Sequence, residues 1–382
     1  MQPTQIYAIV NSMAQQSLGM TDLTETDSTF ISIGKKVLSS ETNVEAFYKT
    51  LVDRIGRTVM AIREYRADMA DMAREPFEYG AILQKISFKM AQAQKNPTWN
   101  SVDEEHSDVF AKTKAEFKQV FFDKWSTWEV PGTIADVQLE TAFTGASAMA
   151  AFIDGIFMSM YNSMELAYEN NGNLARASLI GAVISSTTVT ANKVNLLDDY
   201  NTFTNESLTV QTALTNVDFL KYASMRMKLV SDQMIKPSVQ FNSEQWERFT
   251  PKDRQVFEVN SNFAAILDTY LQADTYHNDM TKLQYYKSVP YWQASGKDWS
   301  FENTSKIDVK IEKADGSTAT VQKQYIVAVL RDIDSAGVTI DKRRTKSIYN
   351  PHDEYTNYWI KAEIGQFRDN SENCVVFYLE EV

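Results

Sequence analysis
The sequence predicts an α+β fold, and three features carry that expectation. Segments of helical and of strand period are mixed and segregated, without the regular strand–helix alternation of a parallel α/β sheet. A single apolar stripe of helical period runs from Asp136 to about Asn170 through Ala142, Phe143, Ala146, Ala150, Ile153, Phe157, Met160, Met164 and Ala167. The tract YIVAVL, residues 325–330, is apolar throughout, as a strand inside a sheet is. A length of 382 residues fits one large domain or two closely joined ones.

The elements follow in order. Ile6, Ile9, Val10 and Met13 space a helix over residues 4–18, with Gly19 as its stop. The polar tract MTDLTETDSTF that follows reads as an extended linker. Thr42 and Glu45 form a capping box for a helix to residue 66, whose stripe is Val44, Phe47, Leu51, Val52, Ile55, Val59 and Ile62. Its other face carries Arg54, Arg57, Arg63 and Arg66, either a solvated face or partners for acidic residues of a neighbour. Residues 77–90 and 117–130 are rich in aromatic and β-branched residues and are separated by a polar tract containing Pro97. They predict a protruding hairpin, and an isolated two-stranded ribbon is marginal in water, so something must cover it.

Asp136 opens the long helix, which Asn170-Asn171-Gly172 would end. At 1.5 Å per residue it would measure about 45 Å and cross most of a compact chain. Its small residues Gly145, Ala146, Ser147, Ala148, Ala150, Ala151 and Gly155 would admit close neighbours. A short helix at 173–184, a strand at 185–196, a helix at 218–234, a strand at 257–259 and a helix at 262–271 come next. Asp315-Gly316 marks a hairpin turn, and residues 358–379 alternate and end in the buried strand CVVFYL.

Composition removes several functional classes. Aromatic residues make up 12% of the chain, too much packing material for a disordered protein. A net charge of −12 makes the chain a poor sheath for nucleic acid. One cysteine, Cys374, excludes an intrachain disulfide and a cysteine zinc site, and its apolar strand marks it as an inert core thiol. The start of the chain lacks the basic and apolar regions of a secretory signal. Residues 142–161 have the length of a membrane span, but Asp154 and the many small polar residues favour a buried helix.

Catalytic motifs are nearly absent. There is no phosphate-binding glycine loop and no nucleophile elbow. His106, His277 and His352 lie at no recognised metal spacing. Ser32-Ile33-Gly34-Lys35 matches S-x-x-K without its companion motifs. Asp332 and Asp334 could hold a divalent metal for an enzyme, or form a strand-end turn with Arg331 and Lys342 as partners. Lys342, Arg343 and Arg344 with Lys346 form the densest basic cluster, either a surface salt-bridge patch or a contact for nucleic acid or an acidic neighbour. Trp99, Trp125 and Trp128 on the hairpin region are candidate interface anchors or intrachain packing. No catalytic, cofactor or metal residue is assigned.

Three passages resemble a known family. VLRDIDSAGVTIDKRRTKSIYNPHDEYTNYWIKAEIGQFRDNSENCVVFYL, residues 329–379, FTPKDRQVFEVNSNFAAILDTYLQADTYH, residues 249–277, and the helix 43–66 running into FEYGAILQKISF are similar to major capsid proteins of tailed bacteriophages, especially short-tailed ones. The resemblance implies a Hong Kong 97-type fold, shared with encapsulin compartments. It implies an N-arm at 1–58, an E-loop region with its hairpin at 59–134, a peripheral-domain spine helix at 135–185, an axial domain at 186–345 and returning peripheral strands at 346–382.

The function implied is structural, without enzymatic activity. Many copies would assemble non-covalently as hexamers and pentamers into an icosahedral shell around double-stranded DNA, without sequence-specific binding or a membrane. A separate scaffolding protein and a portal protein are implied partners, because the arm-like helix begins too early to leave room for a cleaved scaffolding segment. Assembly in the host bacterial cytoplasm and residence in the virion follow. An encapsulin-like shell and a metal-dependent enzyme using Asp332 and Asp334 are the alternatives.

Overall fold
The computed structural model describes residues 3–21, 26–40, 42–44, 46, 65–74, 83–91, 93, 110, 112, 114–122, 125–274, 286–293, 300–312 and 316–381. Helix α1, Pro3–Leu18, buries Ile6, Val10 and Met13, and Gly19 leaves it at φ +60°. Helix α2, Asp27–Val37, begins inside the tract expected as a linker, residues 20–30. The Thr26 hydroxyl accepts the Thr29 N–H as its cap, and Asp27 occupies its first turn. Phe30, Ile33 and Val37 give it a buried stripe that the preceding polar tract hides from a pattern search. Gly34 of the S-x-x-K tetrad is a packing residue: a Cβ there would lie 2.7 Å from that of Phe143. The helix after Ser40 is described only at residues 42–44 and 46. The Ser40 hydroxyl accepts the Asn43 N–H, so Thr42 is already helical and is not the cap. Glu45, Arg54, Arg57 and Arg63 lie outside the described residues, as do Trp99, His106, His277 and Asp315.

Strands β1, Leu83–Phe88, and β2, Phe117–Phe122, form the expected antiparallel hairpin. The run expected to continue to residue 130 is two strands, because β3, Trp125–Ala135, joins a different sheet. The long helix is also divided. Helix α3, Asp136–Ala142, ends in a turn at 143–145. Helix α4, Ala146–Ile153, then passes through a π-helical turn, Asp154–Met158, into α5, Ser159–Ser185. Gly172 does not stop the helix. A Cβ there would lie 2.6 Å from Met69 Sδ, so glycine serves close packing inside α5. The strand expected at 185–196 shrinks to β4, Lys193–Asn195.

The remainder holds α6, Leu196–Thr204, α7, Val210–Ala213, α8, Val217–Gln233, β5, Gln255–Asn260, α9, Ser261–Asp274, β6, Lys287–Val289, and α10, Phe301–Thr304. It closes with β7, Ile307–Glu312, β8, Thr318–Lys323, β9, Ile326–Asp332, β10, Ala336–Asn350, β11, Tyr355–Arg368, and β12, Cys374–Tyr378. No helix among the described residues is long and apolar enough to cross a membrane.

The chain divides into two compact units. The first combines residues 1–76, 124–172 and 338–365. Its sheet has the order β10-β11-β3, and its core gathers Ile6, Val10, Phe30, Phe143, Phe157, Tyr358 and Ile360. Burial pushes the Tyr358 hydroxyl up to about 12, and Gly132 makes room for its ring, which a Cβ would meet at 2.5 Å. The Tyr-Asn-Pro turn between β10 and β11 is held locally: the Asn350 side chain accepts the His352 N–H, and the Tyr349 hydroxyl donates to Asp136.

The second unit combines residues 77–123, 173–337 and 366–382. Its mixed sheet has the order β4-β12-β9-β5-β6, so the all-apolar tract anticipated as interior is the central strand, buried along its whole length. A hairpin of β7 and β8, with Gly316 at φ +77°, accompanies it. Inside this unit the Glu258 carboxylate binds two arginines, Arg176 Nε at 3.0 Å and Arg331 Nε at 3.2 Å, all three side chains being at most 2% exposed. Removing one member of a buried charge cluster leaves the others uncompensated. Glu258→Ala is therefore expected to lower unfolding stability by about 3–5 kcal/mol in urea titration of the soluble subunit.

Candidate functional site
The hairpin is the element whose chemistry calls for a partner. Strand period places Lys85, Ser87, Lys118, Val120 and Phe122 on one face and Gln84, Ile86, Phe88, Phe117, Gln119 and Phe121 on the other. The usual polarity of a surface ribbon is apolar inward and charged outward. Here every charged side chain of the two strands points inward. Ile86, Phe88, Phe117 and Phe121 are all more than half exposed, and the Phe88 and Phe117 rings meet at 6.3 Å. Burying the exposed parts of four such side chains is worth roughly 4–6 kcal/mol. Monomeric proteins seldom leave that surface to water unless it binds something.

Charge holds the inward face. Lys85 Nζ lies 2.7 Å from Asp369 and 2.6 Å from Glu372, and Arg248 reaches Glu372 at 3.3 Å and the Ser87 hydroxyl. Lys118 pairs with Glu244, and Phe122 packs on Phe367 at 4.8 Å. Burial alone would lower Lys85, but the two carboxylates outweigh it and hold the ammonium above its ordinary value. Burial would raise Asp369, but Lys85 and the Ser371 hydroxyl and N–H bring it below its ordinary range. Glu372 stays raised, because burial exceeds the pull of Lys85 and Arg248.

Asp332 and Asp334 sit nearby in the same unit, in the turn that ends β9. Their partner is Arg254, whose Nη2 lies 2.9 Å from Asp332 and 2.6 Å from Asp334. The expected partners are engaged elsewhere, Arg331 with Glu258 and Lys342 with Glu363 at 2.9 Å. The Thr250 hydroxyl donates to Asp332, and the Asn373 amide donates to Thr250. Hydrogen bonds to Asp334, then to Asp332, hold the Arg254 guanidinium above its ordinary value. This is a hydrogen-bonded ion pair. No metal-holding group of three His, Cys, Asp or Glu occurs among the described residues. Cys374 is buried, and burial pushes its thiol up to about 12.

The remaining sequence candidates are dispersed. In the first unit, Arg343 pairs with Glu165 at 3.2 Å and Arg344 with Glu363 at 2.7 Å, so with Lys342 three members of the basic cluster are ion-paired within their own unit. Trp125 packs over Gly365, where a Cβ would come within 3.0 Å of the indole. Trp128 is 40% exposed and donates to the Ser126 hydroxyl, and Arg66 is exposed. The anchor residues Lys85, Arg248, Asp369 and Glu372 escaped sequence reasoning. Their only local signal is a lysine in alternation within an aromatic strand, and their partners lie up to 287 positions away.

The fold is that of tailed-phage capsid subunits, the Hong Kong 97 type. It is similar to a chain in the capsid of Staphylococcus phage Andhra, with a TM-score of 0.55 at 10% identity over 82% of this chain and 84% of that one. It is also similar to a chain in the capsid of cyanophage P-SCSP1u, with a TM-score of 0.50 at 10% identity over 83% and 90%. The family described as Phi29-like phage major capsid protein matches residues 6–378, and the chain belongs to that family. Curated relatives are the major capsid proteins of Bacillus phage GA-1, 25% identical over 165 residues, and Bacillus phage PZA, 24% identical over 161 residues. The matched stretches cover 43% and 42% of this chain and 34% and 35% of those relatives. The encapsulin and metal-enzyme alternatives find no support in these relationships.

Lys85→Ala is expected to cost about 3 kcal/mol at pH 7, because Asp369 and Glu372 are then buried with less compensation. The sign with pH follows from Asp369. Its folded value is depressed, so its contribution is present above the ordinary 3.8 and disappears as pH falls toward the folded value. The stability gap between wild type and Lys85→Ala should therefore be full at neutral pH and close below about pH 4, as read by thermal melts across pH.

Proposed function
We propose that this chain is the repeating subunit of a phage head shell and that copies assemble non-covalently as hexamers and pentamers around packaged double-stranded DNA. One observation carries the reading beyond family membership: a two-stranded ribbon anchored by charge with its apolar face turned outward. A surface of that kind leaves apolar area against water until a neighbouring copy covers it. In this reading the hairpin is the E-loop within the region 59–134, residues 1–58 act as the N-arm, 135–185 and 346–382 form the peripheral domain, and 186–345 form the axial domain.

The chain acts as structure and performs no catalysis. Its net charge of −12 disfavours tight coating of the packaged DNA, so genome and shell meet through weak, sequence-independent contacts. A separate scaffolding protein guides closure, a portal protein occupies one vertex, and assembly takes place in the host cytoplasm before the protein becomes part of the virion.

Electron microscopy with light scattering on the purified protein, alone and with its scaffold co-expressed, tests the reading. Shells, tubes or rings of five or six are expected; a uniform monomer or dimer under both conditions contradicts it. Deleting residues 91–108 is expected to abolish these assemblies while leaving a soluble subunit with an unchanged melting temperature. Assembly unaffected by the deletion would remove the tract joining β1 to β2, but not the aromatic face of the strands, from the account.

A further inference from the structure
The β7–β8 hairpin is a two-stranded sheet, and its two edges are treated differently. One face packs on α5, where a Cβ at Gly181 would lie 2.7 Å from Val309 and 3.2 Å from Ile311. In an antiparallel pair, alternate residues turn both backbone groups toward the partner strand, and the residues between them turn both away. Asp308 turns away from β8. Its N–H donates to Gln293 Oε1 at 2.6 Å, and its C=O accepts from Gln293 Nε2 at 2.7 Å. Lys310 and Glu312 share that orientation by period, and the Glu312 C=O accepts from Arg368 Nη2 at 2.5 Å.

A glutamine amide carries the same donor and acceptor as a peptide group. The single side chain of Gln293 therefore makes both hydrogen bonds that a residue of an added strand would make to Asp308. It is held in place by its neighbour: Trp292 is fully buried, its indole N–H donates to the Ile326 C=O at 2.8 Å, and its backbone N–H donates to the Thr304 C=O at 3.2 Å. Arg368 is tied down by a second bond, from Nη1 to the Ser178 C=O of α5 at 3.1 Å. Between these two contacts Lys310 is exposed and adds a charge to the edge. On β8, Thr318, Thr320 and Gln322 turn outward and pair with no further strand among the described residues.

A ribbon with two open edges can add copies head to tail, β8 of one on β7 of the next, and a heterologous contact of that kind can run on as an open filament. With the β7 edge closed, a β8 edge can meet only another β8 edge, and pairing stops at two. We infer that Gln293, assisted by Arg368, is a stop that closes the β7 edge to strand addition by a second copy of this chain. The inference goes beyond the shell reading and does not depend on it.

Gln293→Ala in the free subunit tests it. Hydrogen–deuterium exchange at the Asp308 amide is expected to quicken about fivefold or more. On incubation at high concentration the variant is expected to form filaments that bind thioflavin T and are visible by electron microscopy, where the wild type forms none. Closing the other edge should prevent them. Thr320 lies opposite Lys310 and turns its N–H outward, so Thr320→Pro breaks no bond within the hairpin, and Thr320→Lys puts a charge on the same edge. Either change added to Gln293→Ala should restore wild-type behaviour. A Gln293→Ala subunit that remains free of filaments overturns the inference. Filaments that persist in both double variants also overturn it, because they arise elsewhere than at an edge of this hairpin. Shells differ from filaments in shape, so the shell reading stands or falls separately.

Discussion
The Glu258 carboxylate, buried between Arg176 and Arg331, is the constraint on which the second unit depends. It joins three elements distant in sequence: the second half of α5, strand β5 and the central strand β9. A charge cluster of this kind costs desolvation and returns it only when the geometry is satisfied. It therefore selects one register for β9 between β5 and β12. The next residue after Arg331 begins the turn where Arg254 bridges Asp332 and Asp334, so the end of the strand is fixed as firmly as its middle.

That rigidity reaches the hairpin through β12. The loop before β12 carries Asp369 and Glu372, the two carboxylates that hold Lys85. The ribbon is joined to a packed sheet by ion pairs at its inward face, while the aromatic residues that would ordinarily bind it to a core face away. An attachment made of charge leaves the apolar surface available for association. In the proposed shell reading, that surface is where copies of the chain meet.

Much of the fold was legible in the sequence because its signals are local. Periodicity located α1, α8, α9 and the β1–β2 hairpin, the all-apolar tract located the central strand, and Asp315-Gly316 located the β7–β8 hairpin. The failures have physical causes. Helix α2 hides behind a polar tract whose threonine is a cap, and Gly172 looks like a helix stop but serves Met69 packing. For Asp332 and Asp334 the sequence leaves a metal pair and a strand-end turn both open, because the partner that makes them an ion-paired turn, Arg254, lies about eighty positions away, beyond any spacing rule. The site was legible in part: the need for a partner follows from an uncovered ribbon, but which face lies outward depends on long-range ion pairs.

The central claim is that the outward aromatic face of the hairpin is exposed in the free subunit and covered in the assembly. Hydroxyl-radical footprinting of Ile86, Phe88, Phe117 and Phe121, read by mass spectrometry before and after assembly, measures this directly. The account predicts strong oxidation in the subunit and protection in the shell, with Phe122 on the inward face changing little. Protection already present in the monodisperse subunit, or oxidation unchanged on assembly, would contradict it.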